Sequence, residues 1–190
     1  MQTAPSTNEV VNGVDVTELK NTIAAIGDNK QIAKFNFRAR NEWTDGANNR
    51  TVVKDFDGAC QTFDRENPFV IQKDEHPILL GKDSGANPVE YVLAALAGCL
   101  TTSLVYHAAA RGIKLESVES SYSGDLDLHG FLGMDPDVRN GYEKVKIDFK
   151  VKGDATEEQL KELVDLAQQR SPVFDIVTNG VPVSVNYQGS

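Results

Sequence analysis

Polar and apolar positions alternate along this chain with two different periods, and the switches between them mark its elements. Near the N-terminus Leu19, Ile23 and Ile26 recur at helical spacing behind an Asp15/Glu18 capping-box pair, and Gly27 closes the run. A short amphipathic helix is expected there, after a polar stretch over residues 1–13 that is expected to fray. Over residues 34–40 the period becomes two, with Phe35, Phe37 and Ala39 on one face and Lys34, Asn36, Arg38 and Arg40 on the other. Residues 44–49 carry turn chemistry, and residues 50–57 read as the next strand, turning at Asp57-Gly58. Residues 59–64 and 68–72 read as two shorter strands of the same antiparallel meander.

The pattern then changes to one long helical run. Asn87 stands as an N-cap, Pro88 at the first helical position, and Glu90 three residues after the cap. Apolar and small residues continue to Arg111-Gly112, a basic last turn and a C-cap glycine. That is about 24 residues, roughly 36 Å of helix. Its first half is apolar or small on most faces, so it is expected to be buried on most sides. Gly98, Thr101, Thr102, Ser103 and His107 interrupt it, and on that ground no membrane span is expected.

Beyond the helix, residues 115–128 read as one bent strand and 130–141 as a loop rich in breakers. Residues 143–152 alternate most clearly, Val145, Ile147, Phe149 and Val151 against lysines and Asp148. Thr156 and Gln159 open a helix with a buried stripe of Leu160, Leu163, Val164 and Ala167. Ser171 caps a further short helix that starts at Pro172, and Asn179-Gly180 turns into a last strand carrying Val181, Val183, Val185 and Tyr187. Segregated runs of strands and helices indicate an α+β domain. Residues 1–32 are read as an N-terminal extension bearing the short helix, and 33–190 as the domain.

Composition narrows the partners. A formal charge of -9 and a pI near 4.8 disfavour nucleic acid and anionic membrane surfaces. No signal pattern opens the chain, and two cysteines make no disulfide framework, so a reducing cytoplasm is expected. Asp74, Glu75 and His76 are adjacent and do not converge on one centre in extended chain, and the glycines around Lys82 lack phosphate-loop spacing. No cofactor or metal is expected.

Among nucleophiles, Cys99 sits mid-helix, where the helix N-terminus lends it little charge, so a reactive thiolate needs a cation from elsewhere. Ala95, Thr102, Ser103 and Tyr106 share roughly its face, and the small residues leave room for a ligand or for a close-packed helix. His107 is about 80° around the helix from Cys99, which argues against a direct pair. His129 has no evident partner, and Cys60 reads as a free thiol.

The order of elements, with Gly85-Ala86-Asn87-Pro88, Ala94-Ala95-Leu96-Ala97-Gly98-Cys99 and Ser171-Pro172-Val173, resembles the OsmC/Ohr family of osmotically induced and organic-hydroperoxide-resistance proteins. The likeness spans roughly residues 33–187. It implies strongly curved antiparallel sheets wrapped around a long central helix, in an intertwined homodimer. It also implies thiol-dependent reduction of organic hydroperoxides without metal, in oxidative-stress defence. By resemblance Cys99 falls on the attacking cysteine and Ser171 on the resolving-cysteine position. Glu90 comes one residue after the family's glutamate position, which here holds Val89, and Arg38 or Arg40 are the nearest candidates for its arginine. Serine cannot close a disulfide, so the expected activity is that of a one-cysteine peroxidase resolved by an external thiol. The alternative is a non-catalytic dimer that binds a small apolar ligand or senses redox state.

Overall fold

The computed structural model describes residues 9–189; most of the N-terminal stretch expected to fray, residues 1–8, lies outside them. The described chain opens with a small hairpin, β1 (Val10–Val11) and β2 (Val14–Asp15), turning at Asn12 and Gly13, both at positive φ. It forms two compact units. The first takes in residues up to 92 except the hairpin tip, Val11–Val14; the second holds that tip and the rest of the chain.

In the first unit α1 (Val16–Asp28) starts where its capping residue predicts, the Asp15 carboxylate accepting the Glu18 N–H at 2.9 Å. The strands β3 (Asn36–Phe37), β4 (Arg40–Asp45), β5 (Asn48–Gly58) and β6 (Gln61–Lys73) form one antiparallel sheet. Long β5 is its centre, with β6 along one edge and β3 and β4 sharing the other. Two expectations are corrected here. The run 34–40 is split between β3 and β4. The two short strands at 59–64 and 68–72 are one strand, because a register shift between Val53 and Asp55 of β5 lets β6 continue past Pro68, a residue with no N–H to place in a ladder. The turn also moves, from Asp57-Gly58 to Ala59 and Cys60, both left-handed. Phe56 is flanked by Phe37 and Phe63, at ring separations of 5.4 and 4.8 Å, and Arg65 lies over its face at 5.0 Å.

The long helix α2 (Pro88–Ala110) leads from the first unit into the second. Its start is a complete reciprocal cap: Glu90 N–H donates to Asn87 Oδ1 at 2.9 Å and Asn87 N–H donates to Glu90 Oε2 at 2.8 Å.

The second unit pairs β7 (Leu115–Asp125) with β8 (Lys144–Gly153), antiparallel, joined through a short helix α3 (Leu128–Phe131) where only loop was expected. The helices α4 (Glu157–Arg170) and α5 (Pro172–Asn179) follow, α4 with the predicted Thr156/Gln159 box. The core is Leu100, Leu104 and Ala108 of α2 against Leu163 and Ala167 of α4, with Ile147, Phe149 and Val151 of β8 packed beneath. The hairpin tip is tied in by Asn12, whose side chain donates to the Ile113 carbonyl and accepts from Leu115 N–H, each at 2.8 Å.

Three further expectations differ. Residues 181–187 join no strand ladder among the described residues. The helix α2 is long and apolar enough by length and composition to cross a membrane, with a mean hydropathy of 1.6, so composition does not exclude a span; its leucine row is nonetheless buried within the chain. Nor is α2 covered on most sides, since Ala94, Ala95, Gly98, Thr102 and Tyr106 are exposed in the single chain.

Candidate functional site

Cys99 lies in the second unit, half-buried in the middle of α2, one residue before fully buried Leu100. Leu100 is a wall of a cavity of about 810 Å³ in that unit, which runs along β8 and α4. Phe149, Val164 and Phe174 supply further apolar wall, with Lys150 and Lys161 among the polar lining. Ser171 is 2% exposed, and its hydroxyl accepts the N–H of Phe174 at 3.2 Å. Leu100, the neighbour of Cys99, and Phe174, whose N–H Ser171 caps, thus line one cavity.

Sequence reasoning passed over Arg170. The charges of Arg170 and Arg111, together with burial as the larger cause, hold the His107 imidazole below its ordinary pKa, so a second guanidinium acts on the helix that carries Cys99. Its signal in the sequence was slight, a basic residue in the last turn of a helix directly before Ser171-Pro172. His129, read as unpartnered, sits 2.6 Å from Asp127, the residue that caps α3.

Arg38, Arg40 and Glu90 belong to the first unit. Arg38 donates from Nε to Asp55 and from Nη1 to Asp57, each at 2.6 Å, so two carboxylates hold its fork. The guanidinium in turn holds the Asp57 carboxyl down to about 2, with help from the Thr62 hydroxyl. Arg40 is exposed and reaches Asp55 only at 3.5 Å. Glu90 is engaged in the α2 cap. No group of three His, Cys, Asp or Glu side chains among the described residues is placed to hold a metal ion.

The loop that delivers α2 is built around a buried anion. Asp74, 1% exposed, accepts from the Ser84 hydroxyl at 2.8 Å and from the N–H groups of Glu75, Lys82 and Ser84. These donors hold its carboxyl down to about 2, the Ser84 hydroxyl being the largest cause. A depressed carboxyl stabilises the fold fully above its unfolded value of 3.8 and loses that contribution as pH falls toward about 2. Asp74→Asn is therefore expected to lower the urea midpoint at neutral pH, with the gap to the parent closing between pH 4 and 2; parallel curves over that window would refute it.

Compared with known proteins, the chain matches the profile of OsmC-like proteins over residues 81–186, which include Cys99 and Ser171. The chain belongs to the OsmC-like family. No curated protein matches this OsmC-like chain in a sequence search. Among solved structures, the OsmC-like protein of Mycoplasma pneumoniae is similar at a TM-score of 0.58 and 16% identity, covering 80% of this chain and 94% of that one. An OsmC-like protein of unknown function from Vibrio cholerae is similar at 0.57 and 15%, covering 75% and 94%. An organic hydroperoxide resistance protein OsmC from Legionella pneumophila scores 0.49 at 16%, covering 76% and 90%. At these identities the likeness to the first two establishes the α+β fold with antiparallel sheets.

Proposed function

We propose that this OsmC-like protein is a one-cysteine, thiol-dependent organic hydroperoxide reductase of oxidative-stress defence. In this reading it is a cytoplasmic homodimer that uses neither metal nor cofactor. The observation that carries the reading is the setting of Cys99: it is half-buried rather than sealed, beside a leucine that walls an apolar cavity of about 810 Å³. A cavity of that size accepts the organic part of a small hydroperoxide.

In the proposed reaction the Cys99 thiolate attacks the terminal peroxide oxygen. An S–O bond forms as the O–O bond breaks, the alkoxide takes up a proton and leaves as the alcohol, and the sulfur becomes a sulfenic acid. One external thiol condenses with it, releasing water and leaving a mixed disulfide, and a second thiol attacks that disulfide and restores Cys99. Ser171 occupies the resolving position but serves as a helix cap, which is why the reductant comes from outside. Arg38 or Arg40 supplies the charge that ionises the thiol, from the partner copy, and Glu90 holds the start of the helix.

A second reading, a dimer that binds an apolar ligand without turnover, is favoured by the Arg38 fork, already occupied by Asp55 and Asp57. One experiment separates the two. The reduced protein is treated with cumene hydroperoxide and Cys99 is followed by mass. Fast stoichiometric sulfenic acid supports the reductase; an unchanged thiol at millimolar peroxide overturns it in favour of the binder.

A further inference from the structure

We propose that Ser103 and His107 carry the thiol proton of Cys99 along one face of α2, Ser103 passing it from the sulfur to the His107 imidazole and returning it to the departing alkoxide. The inference rests on the reductase reading and assigns the path of the proton in that reaction.

Helix geometry brings the three residues together. Cys99, Ser103 and His107 follow one another at intervals of four. Each such step carries the side chain about 40° round the helix and leaves neighbouring Cβ atoms roughly 5–6 Å apart. Cys99 and His107 do not pair directly, being two turns and about 80° apart, but Ser103 stands one turn from each. Helical side chains also lean toward the N-terminus of their helix. His107 therefore leans over Ser103, and Ser103 over Cys99.

The surroundings agree. All three residues are half-buried, whereas the row beside them, Leu96, Leu100, Leu104 and Ala108, is fully buried. The path runs along the border of the core, with leucine on one side to keep water from competing for the proton. Among the described residues no hydrogen bond ties the Ser103 hydroxyl or the His107 ring, so both can turn toward the thiol. Bonds of this kind commonly tighten only once substrate is bound. Arg111 continues the row one turn on and reaches Glu162 of α4 at 3.7 Å, and Arg170 acts on the imidazole from α4. Burial first, and then these two guanidinium charges, keep His107 in the neutral form that accepts a proton. The same charges make the imidazolium, once formed, ready to give its proton back.

The balance closes. The Cys99 S–H bond breaks as the Ser103 oxygen takes that proton and hands its own to a His107 ring nitrogen, leaving a thiolate. The thiolate forms the S–O bond, the O–O bond breaks, and the reverse transfer through Ser103 turns the alkoxide into the alcohol. The imidazole is neutral again when the sulfenic acid has formed.

The test follows single-turnover oxidation of Cys99 by cumene hydroperoxide, by mass, in the full chain across about pH 5–8. Ser103→Ala and His107→Gln are each expected to slow it roughly 100-fold at neutral pH. The double variant should be no slower than either, because the two residues act as one path. Ser103→Thr keeps the hydroxyl and should stay near the parent rate. The parent rate should fall as pH drops through the imidazole's titration, which lies below the ordinary 6.5, while His107→Gln follows the titration of the thiol alone. A parent that oxidises quickly beside a Ser103→Ala of equal rate overturns the relay and spares the reductase. Single effects that multiply in the double variant, or a Ser103→Thr as slow as Ser103→Ala, overturn it as well. A parent thiol unchanged at millimolar peroxide removes both the relay and the reductase reading.

Discussion

Cys99→Ser is expected to abolish the consumption of organic hydroperoxide, while Cys60→Ser leaves it unchanged. The two thiols differ in surroundings rather than in kind. Cys60 is exposed on a hairpin turn, in the left-handed region. Cys99 is half-buried on a helix, next to the residue that walls the apolar cavity. An oxygen nucleophile cannot replace the sulfur, because a serine hydroxyl is scarcely ionised near neutrality and its oxygen, unlike sulfur, has no stable oxidised form to which the peroxide could take it. The loss should therefore be complete and not a change in apparent affinity. The measurement is peroxide consumed with a small dithiol as reductant, read with cumene hydroperoxide. If Cys60→Ser also stops turnover after one equivalent, Cys60 is the resolving thiol. If Cys99→Ser keeps its rate, the reductase reading is wrong.

How far the fold could be read from the sequence depended on the range of the signal. Asn87 with Glu90, Thr156 with Gln159, and Ser171 before Pro172 are local, since each cap bonds within three residues, and all three helix starts fall where predicted. Strand limits are set by partners distant in sequence. Pro68 marked a break on its own terms, yet a register shift in β5 absorbs it. For 181–187 the alternation is plain in the sequence, but alternation specifies a face and not a partner, and among the described residues no strand pairs with this segment.

The site divides in the same way. Cys99 and Ser171 were legible because their helices were. The charges were not: Arg38 is fixed by Asp55 and Asp57 from β5, and Arg170 acts on His107 across two helices. Pairings of that kind depend on packing, which neither spacing nor composition records. The pair of Asp127 and His129 is nearer in sequence but needed the short helix α3, which a stretch rich in breakers did not announce.

Leu163→Ala is expected to be the most destabilising of the substitutions considered. Leu163 is fully buried in the cluster where α4 meets Leu100, Leu104 and Ala108 of α2, and it holds the cavity-bearing half of the chain together. Truncation removes an isopropyl group from a packed interior and leaves a void that the two helices can close only in part. Substitutions of this type cost about 2–5 kcal/mol. Against a typical domain stability of about 5–15 kcal/mol that is a large share. In urea it corresponds to a midpoint lowered by about 1–2 M, compared at one protein concentration so that subunit association does not enter. Lys161→Ala, two residues earlier on the exposed side of the same helix, should shift stability by no more than about 0.5 kcal/mol. A Leu163→Ala loss below about 1 kcal/mol would mean that the cluster relaxes around the void, and that the long helix is held in place by something other than its contact with α4.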